Sequence, residues 1–304
     1  MKVLVTGGTN GMGKGVAKIL AQSNKQTHEV IILGRSKEHG EAATREIKEL
    51  TNNKKISLVL CDLTKLSDVR KAIKEIHNQH KFLDGVFINA GLGYAANQMV
   101  TEDGLDSHFQ VNYLSQFMLT LNVLDLLEKS KSAGRVIFNV TEMGELFWDD
   151  MQMEKKWSYE SGIYQAMAAK RMFYCHLHKL HRQKKGSKLA FFGFRIPKTV
   201  WTNQINIIPP LFRTVATIMK FFGTFISIEE CGRIISPLFT ENQDQSLEKS
   251  GKFITSKRNT FVEKKVDKDT FDHPMQEKLW KISLDLCKDR KTTKIAETLS
   301  GSSL

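Results

Sequence analysis

Short β-branched runs alternate with amphipathic stretches along most of this chain. Residues 3–6, 30–33, 56–60, 85–89 and 135–141 are apolar runs of strand length, and the segments between them carry apolar residues at helical spacing. A sixth strand over 189–194 follows a long helix over about 163–181, and a seventh over 252–255 follows a helix over 229–240. Such alternation predicts parallel pairing through right-handed crossovers. The chain is therefore expected to be an α/β protein with a doubly wound, parallel, seven-stranded sheet, a Rossmann fold, forming one domain over 1–290.

Two stretches break the rhythm. Residues 142–160 are polar and contain tryptophan, whereas 209–228 are apolar, basic and rich in Phe. Loops beyond the carboxyl ends of the strands build the ligand site in such sheets. A substrate lid is accordingly expected over about 205–228, and its apolar character points to a lipophilic ligand. The same stripe would also suit packing on the core or contact with a membrane surface. Trp148, Trp157 and Trp201 are open to a role as pocket lining or as core. The Lys-, Thr- and Ser-rich stretch 291–304 reads as a disordered tail.

Composition adds a few exclusions. With 304 residues, 41% of them apolar and 26% charged, the chain can bury a large core and is neither a disordered nor a membrane-spanning sequence. The net charge of +12 lacks the interleaved aromatics or motif spacings of a nucleic-acid binder, so no nucleic-acid partner is expected. Cys61, Cys175, Cys231 and Cys287 are too scattered for a disulfide framework or a metal site, which implies a reducing compartment. A strand starting at Lys2 leaves no room for a targeting peptide, and a cytoplasmic location is expected.

The first strand runs into Thr6-Gly7-Gly8-Thr9-Asn10-Gly11-Met12-Gly13, and a helix follows. Glycines at 7, 11 and 13 between a strand and a helix place backbone N–H groups and the positive end of a helix dipole where a pyrophosphate can be held. The second strand ends on Leu33-Gly34-Arg35-Ser36, with no carboxylate for a free adenosine ribose. A guanidinium at Arg35 suits a 2′-phosphate, and Lys14 offers a second positive charge, so the cofactor is expected to be NADP(H).

The three-residue gap between Gly7 and Gly11 resembles the short-chain dehydrogenase/reductase family. The likeness extends to Asp62 and Leu63 after the third strand and to Asn89-Ala90-Gly91 after the fourth, positions that contact or support the cofactor in that family. Thr101-Glu102-Asp103-Gly104-Leu105 leading into His108-Phe109-Gln110-Val111-Asn112 resembles its retinol dehydrogenase and protochlorophyllide reductase branch, as does the stretch from His273-Pro274 to Ser283. By that resemblance Asn112 is the catalytic asparagine, which bends a helix and holds a water in the proton path.

The family pairs a tyrosine with a lysine four residues later on one helix face, beside a hydroxyl that polarises the substrate carbonyl. Tyr164 matches the tyrosine, but the lysine position is Ala168, and Lys170 falls about 120° away around the helix. Thr141 matches the second of the family's paired serines. Pro197 and Thr202 match the segment that meets the nicotinamide amide, with Lys198 in place of a glycine. The resemblance thus implies an NADP(H)-dependent carbonyl reductase whose partner is a small-molecule substrate, a bulky lipophilic carbonyl or alcohol, with Tyr164 as proton donor. Without the lysine, reduction from the neutral tyrosine is favoured over alcohol oxidation. Ala168 leaves two further readings open, a non-catalytic NADP(H)-binding protein and an engineered lysine-to-alanine change. Oligomeric state is open.

Overall fold

A computed structural model describes residues 1–22, 28–202, 210–221 and 224–301. The strands are β1 Lys2–Thr6, β2 Glu29–Gly34, β3 Ile56–Leu60, β4 Gly85–Ile88, β5 Gly134–Asn139, β6 Leu189–Arg195, β7 Thr199–Val200, β8 Phe225–Ile226, β9 Phe253–Lys257 and β10 Thr260–Glu263. The helices are α1 Gly11–Ala21, α2 Lys37–Thr51, α3 Leu66–Gln79, α4 Ser107–Phe109, α5 Ser115–Glu128, α6 Tyr159–Gln183, α7 Pro210–Phe221, α8 Ile228–Ile235, α9 Pro237–Thr240, α10 Gln243–Lys249, α11 His273–Cys287 and α12 Arg290–Ser300. A π-helical turn, Gln110–Leu114, joins α4 to α5.

The main sheet has eight strands in the order β10-β9-β6-β5-β4-β1-β2-β3, all parallel except β10. Two apolar layers sandwich it, one including Val86, Phe117 and Phe173, the other including Val5, Val16 and Phe192. Strand order reverses at β1, which pairs with β2 on one side and β4 on the other. The crevice beyond the carboxyl ends of these strands is where doubly wound folds bind ligands.

The seven expected strands are all present, and the sheet carries one more. Antiparallel β10 follows β9 through Arg258 and Asn259, both left-handed with φ of 49° and 63°. Such a turn is ordinarily announced by Asn-Gly or Asp-Gly, and Arg-Asn carries no such signal. The helix expected over 229–240 is broken, because Pro237 has no N–H to continue the α8 ladder and starts α9 instead.

The expected tail is also corrected. Residues 290–300 form α12, capped by Asp289, which accepts from the Thr292 amide at 2.9 Å and its hydroxyl at 2.6 Å. Thr292 and Ala296 are fully buried, and Thr292 accepts from Asn122 at 2.8 Å. Part of the expected lid, 205–209 and 222–223, lies outside the described residues. Its described portion includes α7, which exposes Val215, Ile218, Met219 and Phe221, and β8. Among the described residues no helix is long and apolar enough to cross a membrane, and all four cysteines are free and buried.

Candidate cofactor and active site

The turn after β1 has the shape that the glycines demand. Gly7 adopts φ +66°, and a Cβ on Gly13 would lie 2.3 Å from the Gly7 carbonyl oxygen, so neither position accepts a side chain. Asn10 caps α1, its Oδ1 accepting from the Gly11 amide at 2.7 Å. The first amide to bond back along the helix is that of Lys14, to the Asn10 carbonyl at 3.2 Å, so the first-turn N–H groups of Met12 and Gly13 have no intrahelical acceptor. This cradle fits an anion. Thr9 lies against Gly34, at the carboxyl end of β2, where a Cβ would meet its Cγ2 at 2.4 Å.

Arg35 is exposed immediately beyond β2. Lys14, the other cation considered for a 2′-phosphate, is engaged in an ion pair of 2.5 Å with Glu46 of α2. Asp62 stands beyond β3 and accepts from the Thr64 amide at 3.0 Å and hydroxyl at 2.8 Å. The Leu63 carbonyl accepts from Ser115 at 2.7 Å, tying this corner to α5.

A buried hydroxyl at Thr6 organises the switch point. It accepts from the Asn89 amide at 2.8 Å and the Ala90 amide at 3.0 Å, and lies 3.1 Å from both the Phe87 carbonyl and Gln116 Oε1. Gln116 donates to the carbonyls of Ala90 at 2.8 Å, Val111 at 2.9 Å and Asn112 at 3.2 Å. Asn112 sits in the π-helical turn with its side chain fully engaged. Its Oδ1 accepts from the Leu92 amide at 2.6 Å and its Nδ2 donates to the Leu92 carbonyl at 3.1 Å, beside Gly91.

Helix α6 begins four residues earlier than expected because Ser158 caps it, accepting from the Ser161 amide at 3.1 Å. Its spacing separates two stripes. Ile163, Met167, Lys170 and Tyr174 fall on one, and Tyr174 on it packs against the sheet, its ring 5.7 Å from that of Phe138 and against Gly193. Tyr164, Ala168 and Arg171 fall on the neighbouring stripe, which faces the loop after β5. Gly144 of that loop approaches so closely that a Cβ would lie 2.1 Å from the Tyr164 carbonyl oxygen. Tyr164 is half-buried, and Ala168 is packed in the apolar core. Lys170 is fully buried and its amine has no hydrogen-bond partner among the described residues; burial alone lowers its pKa to about 7.

Thr141, three residues before Gly144 in this loop, donates its hydroxyl to Glu142 at 3.3 Å. Glu142 in turn accepts from Arg195 at 2.6 Å and Lys264 at 3.0 Å. Partial burial pushes the Glu142 carboxyl up, but its own backbone hydrogen bond, Lys264 and Arg195 outweigh this and hold it below the usual carboxylate range.

Pro197 and Lys198 are exposed beyond β6, and the segment returns over the glycine turn, where Thr202 Cγ2 lies 3.2 Å from the Cβ position of Gly11. The tryptophans line no common pocket among the described residues. Trp148 stacks under Lys278, Trp157 lies near His108, and Trp201 meets Phe225 and Lys220. A cavity of about 450 Å³ lies elsewhere, between α12 and the carboxyl end of α5, with Leu121, Leu124 and Lys294 among its lining residues.

Several site residues escaped the sequence reading: Thr6, Gln116, Glu142, Arg171, Arg195 and Lys264. Tyr94, whose ring meets that of Tyr159 edge-on at 4.9 Å, is another. Arg171 alone left a trace, as a charge two helical turns from Tyr164 within an otherwise apolar stripe.

Residues 1–151 match the model of the short chain dehydrogenase family. Human polyprenol dehydrogenase is 33% identical over 183 residues, 58% of this chain and 54% of that protein. Human retinol dehydrogenase 11 is 30% identical over 216 residues, 67% of this chain and 62% of that protein. The chain thus spans about half to three-fifths of the length of these curated relatives. Among solved structures, an uncharacterised protein from Mycobacterium paratuberculosis superposes with a TM-score of 0.67 at 21% identity, covering 94% of this chain and 93% of that one. The RhlG/NADP active-site complex of Pseudomonas aeruginosa superposes with a TM-score of 0.64 at 19% identity, covering 84% and 93%. These structural likenesses show the fold.

Proposed function

The chain belongs to the short-chain dehydrogenase/reductase family, on its retinol dehydrogenase-like side, and from that premise we propose that it is an NADP(H)-dependent oxidoreductase that reduces a ketone or aldehyde on a bulky lipophilic molecule. The observation that carries this reading is the anion cradle at Gly7, Thr9, Asn10, Gly11, Met12 and Gly13 with the exposed Arg35 beside it. Support for the ligand class comes from relatives named for polyprenol and retinol and from a structural neighbour complexed with NADP. The apolar, exposed face of α7 agrees with a lipophilic substrate.

When bound, the dinucleotide supplies a hydride. The chain's own part is to bind and orient. In this reading the cradle would hold the pyrophosphate that bridges the two nucleosides, Arg35 would meet the 2′-phosphate of the adenosine ribose, and Asp62, Leu63, Asn89, Ala90 and Gly91 would wall the cleft. Pro197 and Thr202 close it over the nicotinamide. Tyr164 gives a proton from its neutral hydroxyl to the carbonyl oxygen, Thr141 donates to the same oxygen, and Asn112 keeps the π-helical turn in place.

A second reading is favoured by specific geometry. Ala168 is sealed in apolar core and the Thr141 hydroxyl is directed at Glu142, so the chain would bind NADP(H) without turnover. Titration of NADPH and NADH by fluorescence, followed by NADPH consumption with a panel of lipophilic ketones and aldehydes, tests both. Tight NADPH binding with turnover supports the reductase. Binding without turnover, restored by Ala168→Lys, supports the second reading, and failure to bind either dinucleotide below millimolar concentration ends both.

A further inference from the structure

Arg171 lies on α6 seven residues after Tyr164, which is two turns less 20°, so the two share a stripe. The guanidinium is fully buried. Its Nη1 donates to the carbonyls of Thr141 at 2.7 Å and Met143 at 2.8 Å, and its Nη2 donates to the Gly144 carbonyl at 2.9 Å and to Asp267 at 2.7 Å. The fifth donor, Nε, reaches the Thr270 hydroxyl at 3.3 Å. All five N–H groups of the side chain are used.

Three carbonyls of one short loop converge on this guanidinium, and its charge-assisted hydrogen bonds offset their mutual repulsion. The same loop presses Gly144, at φ +104°, onto the backbone of Tyr164. Arg171 and Gly144 thus tie the loop that carries Thr141 and Glu142 to α6 at two points. Asp267 completes the arrangement: it neutralises the guanidinium and also accepts from the Thr270 amide at 3.0 Å and hydroxyl at 3.2 Å, which anchors residues 267–270 to the same point.

We propose that Arg171, backed by Asp267, is a positioning residue that holds the Thr141–Glu142 loop in register with Tyr164 and couples the segment after β10 to the reacting hydroxyls. The inference rests on the reductase reading for its catalytic consequence, while the loop geometry stands apart from it. Lysine at this position keeps the charge but offers three donors from a single nitrogen and cannot span three carbonyls and a carboxylate.

The test compares the full chain with Arg171→Lys and the milder Asp267→Asn. For Arg171→Lys the expected result is an NADPH Kd within about threefold of the parent and a kcat about a hundredfold lower with little change in KM, the size of effect that a misplacement of about 1 Å produces. Amide hydrogen exchange over 141–146 should accelerate at least about tenfold while that of α1 is unchanged. Asp267→Asn should move the same quantities in the same direction by less, and it carries the comparison should Arg171→Lys not fold. Unchanged kcat together with unchanged exchange in both variants overturns the proposal, as does a loss of NADPH affinity equal to the loss of turnover. If the parent itself turns over nothing, the reductase reading fails and the exchange comparison alone decides the positioning claim.

Discussion

Gly15 of α1 and Gly232 of α8 meet backbone to backbone. A Cβ on Gly15 would lie 2.0 Å from the Ile228 carbonyl oxygen, and one on Gly232 would lie 2.3 Å from the carbonyl oxygen of Gly15. This approach, fastened by Lys18 and Glu229 at 3.1 Å, holds the helix whose first turn forms the anion cradle. Gly232→Ala must push the helices apart, an overpacking cost of about 1–3 kcal/mol. Calorimetry should show a Tm lower by at least about 2 °C, and NADPH titration a weaker Kd. An unchanged Tm would mean that the helices separate at no cost.

Arg35 tests the choice of dinucleotide. An exposed guanidinium beyond β2 gains a charge-assisted contact only if the ligand carries a 2′-phosphate. Arg35→Ala should weaken NADPH binding by about ten- to a hundredfold, the equivalent of roughly 1.5–3 kcal/mol, while NADH affinity changes less than about threefold. Equal losses for both dinucleotides would remove the basis for preferring the phosphorylated one.

The Thr6 hydroxyl links β1, the loop after β4 and α5 in a fully buried setting. Thr6→Val keeps the volume and leaves the amides of Asn89 and Ala90 without their acceptor. Each unpaired buried group costs about 1–3 kcal/mol, so the unfolding midpoint in urea should fall clearly. A midpoint equal to the parent's would show that another acceptor replaces the hydroxyl.

Where the sequence was legible, the signal was local and periodic. The seven parallel strands follow from short runs of Val, Ile, Leu and Phe, and the glycine turn from one contiguous motif between a strand and a helix. The misses have physical causes. The α12 helix looked like a tail because its exposed face is Lys- and Thr-rich, yet Asp289 three residues before Thr292 is a capping signal, and burial of Ala296 depends on tertiary packing. Glu142, Arg195 and Lys264 lie at or just beyond the ends of β5, β6 and β10, and no pattern within any one segment brings them together. Likewise nothing near Lys14 in the sequence announces its anion, because Glu46 of α2 reaches it only in the fold.

Lys170 gives a prediction with a definite sign in pH. Burial disfavours its charged form and lowers the pKa from 10.5 to about 7. The unfolded chain therefore keeps this proton up to about pH 10.5, while the folded chain releases it above about pH 7, so the stability contributed by this group rises with pH across that window. Below about pH 7 both states are protonated and the full penalty of burying an unpaired ammonium remains. Lys170→Met removes the penalty at nearly constant volume. The variant should exceed the parent in urea midpoint at about pH 6.5, and the gap should narrow steadily towards about pH 10, where other titrating groups cancel in the difference. A gap that stays constant or widens with pH would place the amine in contact with water or with an anion that keeps it charged.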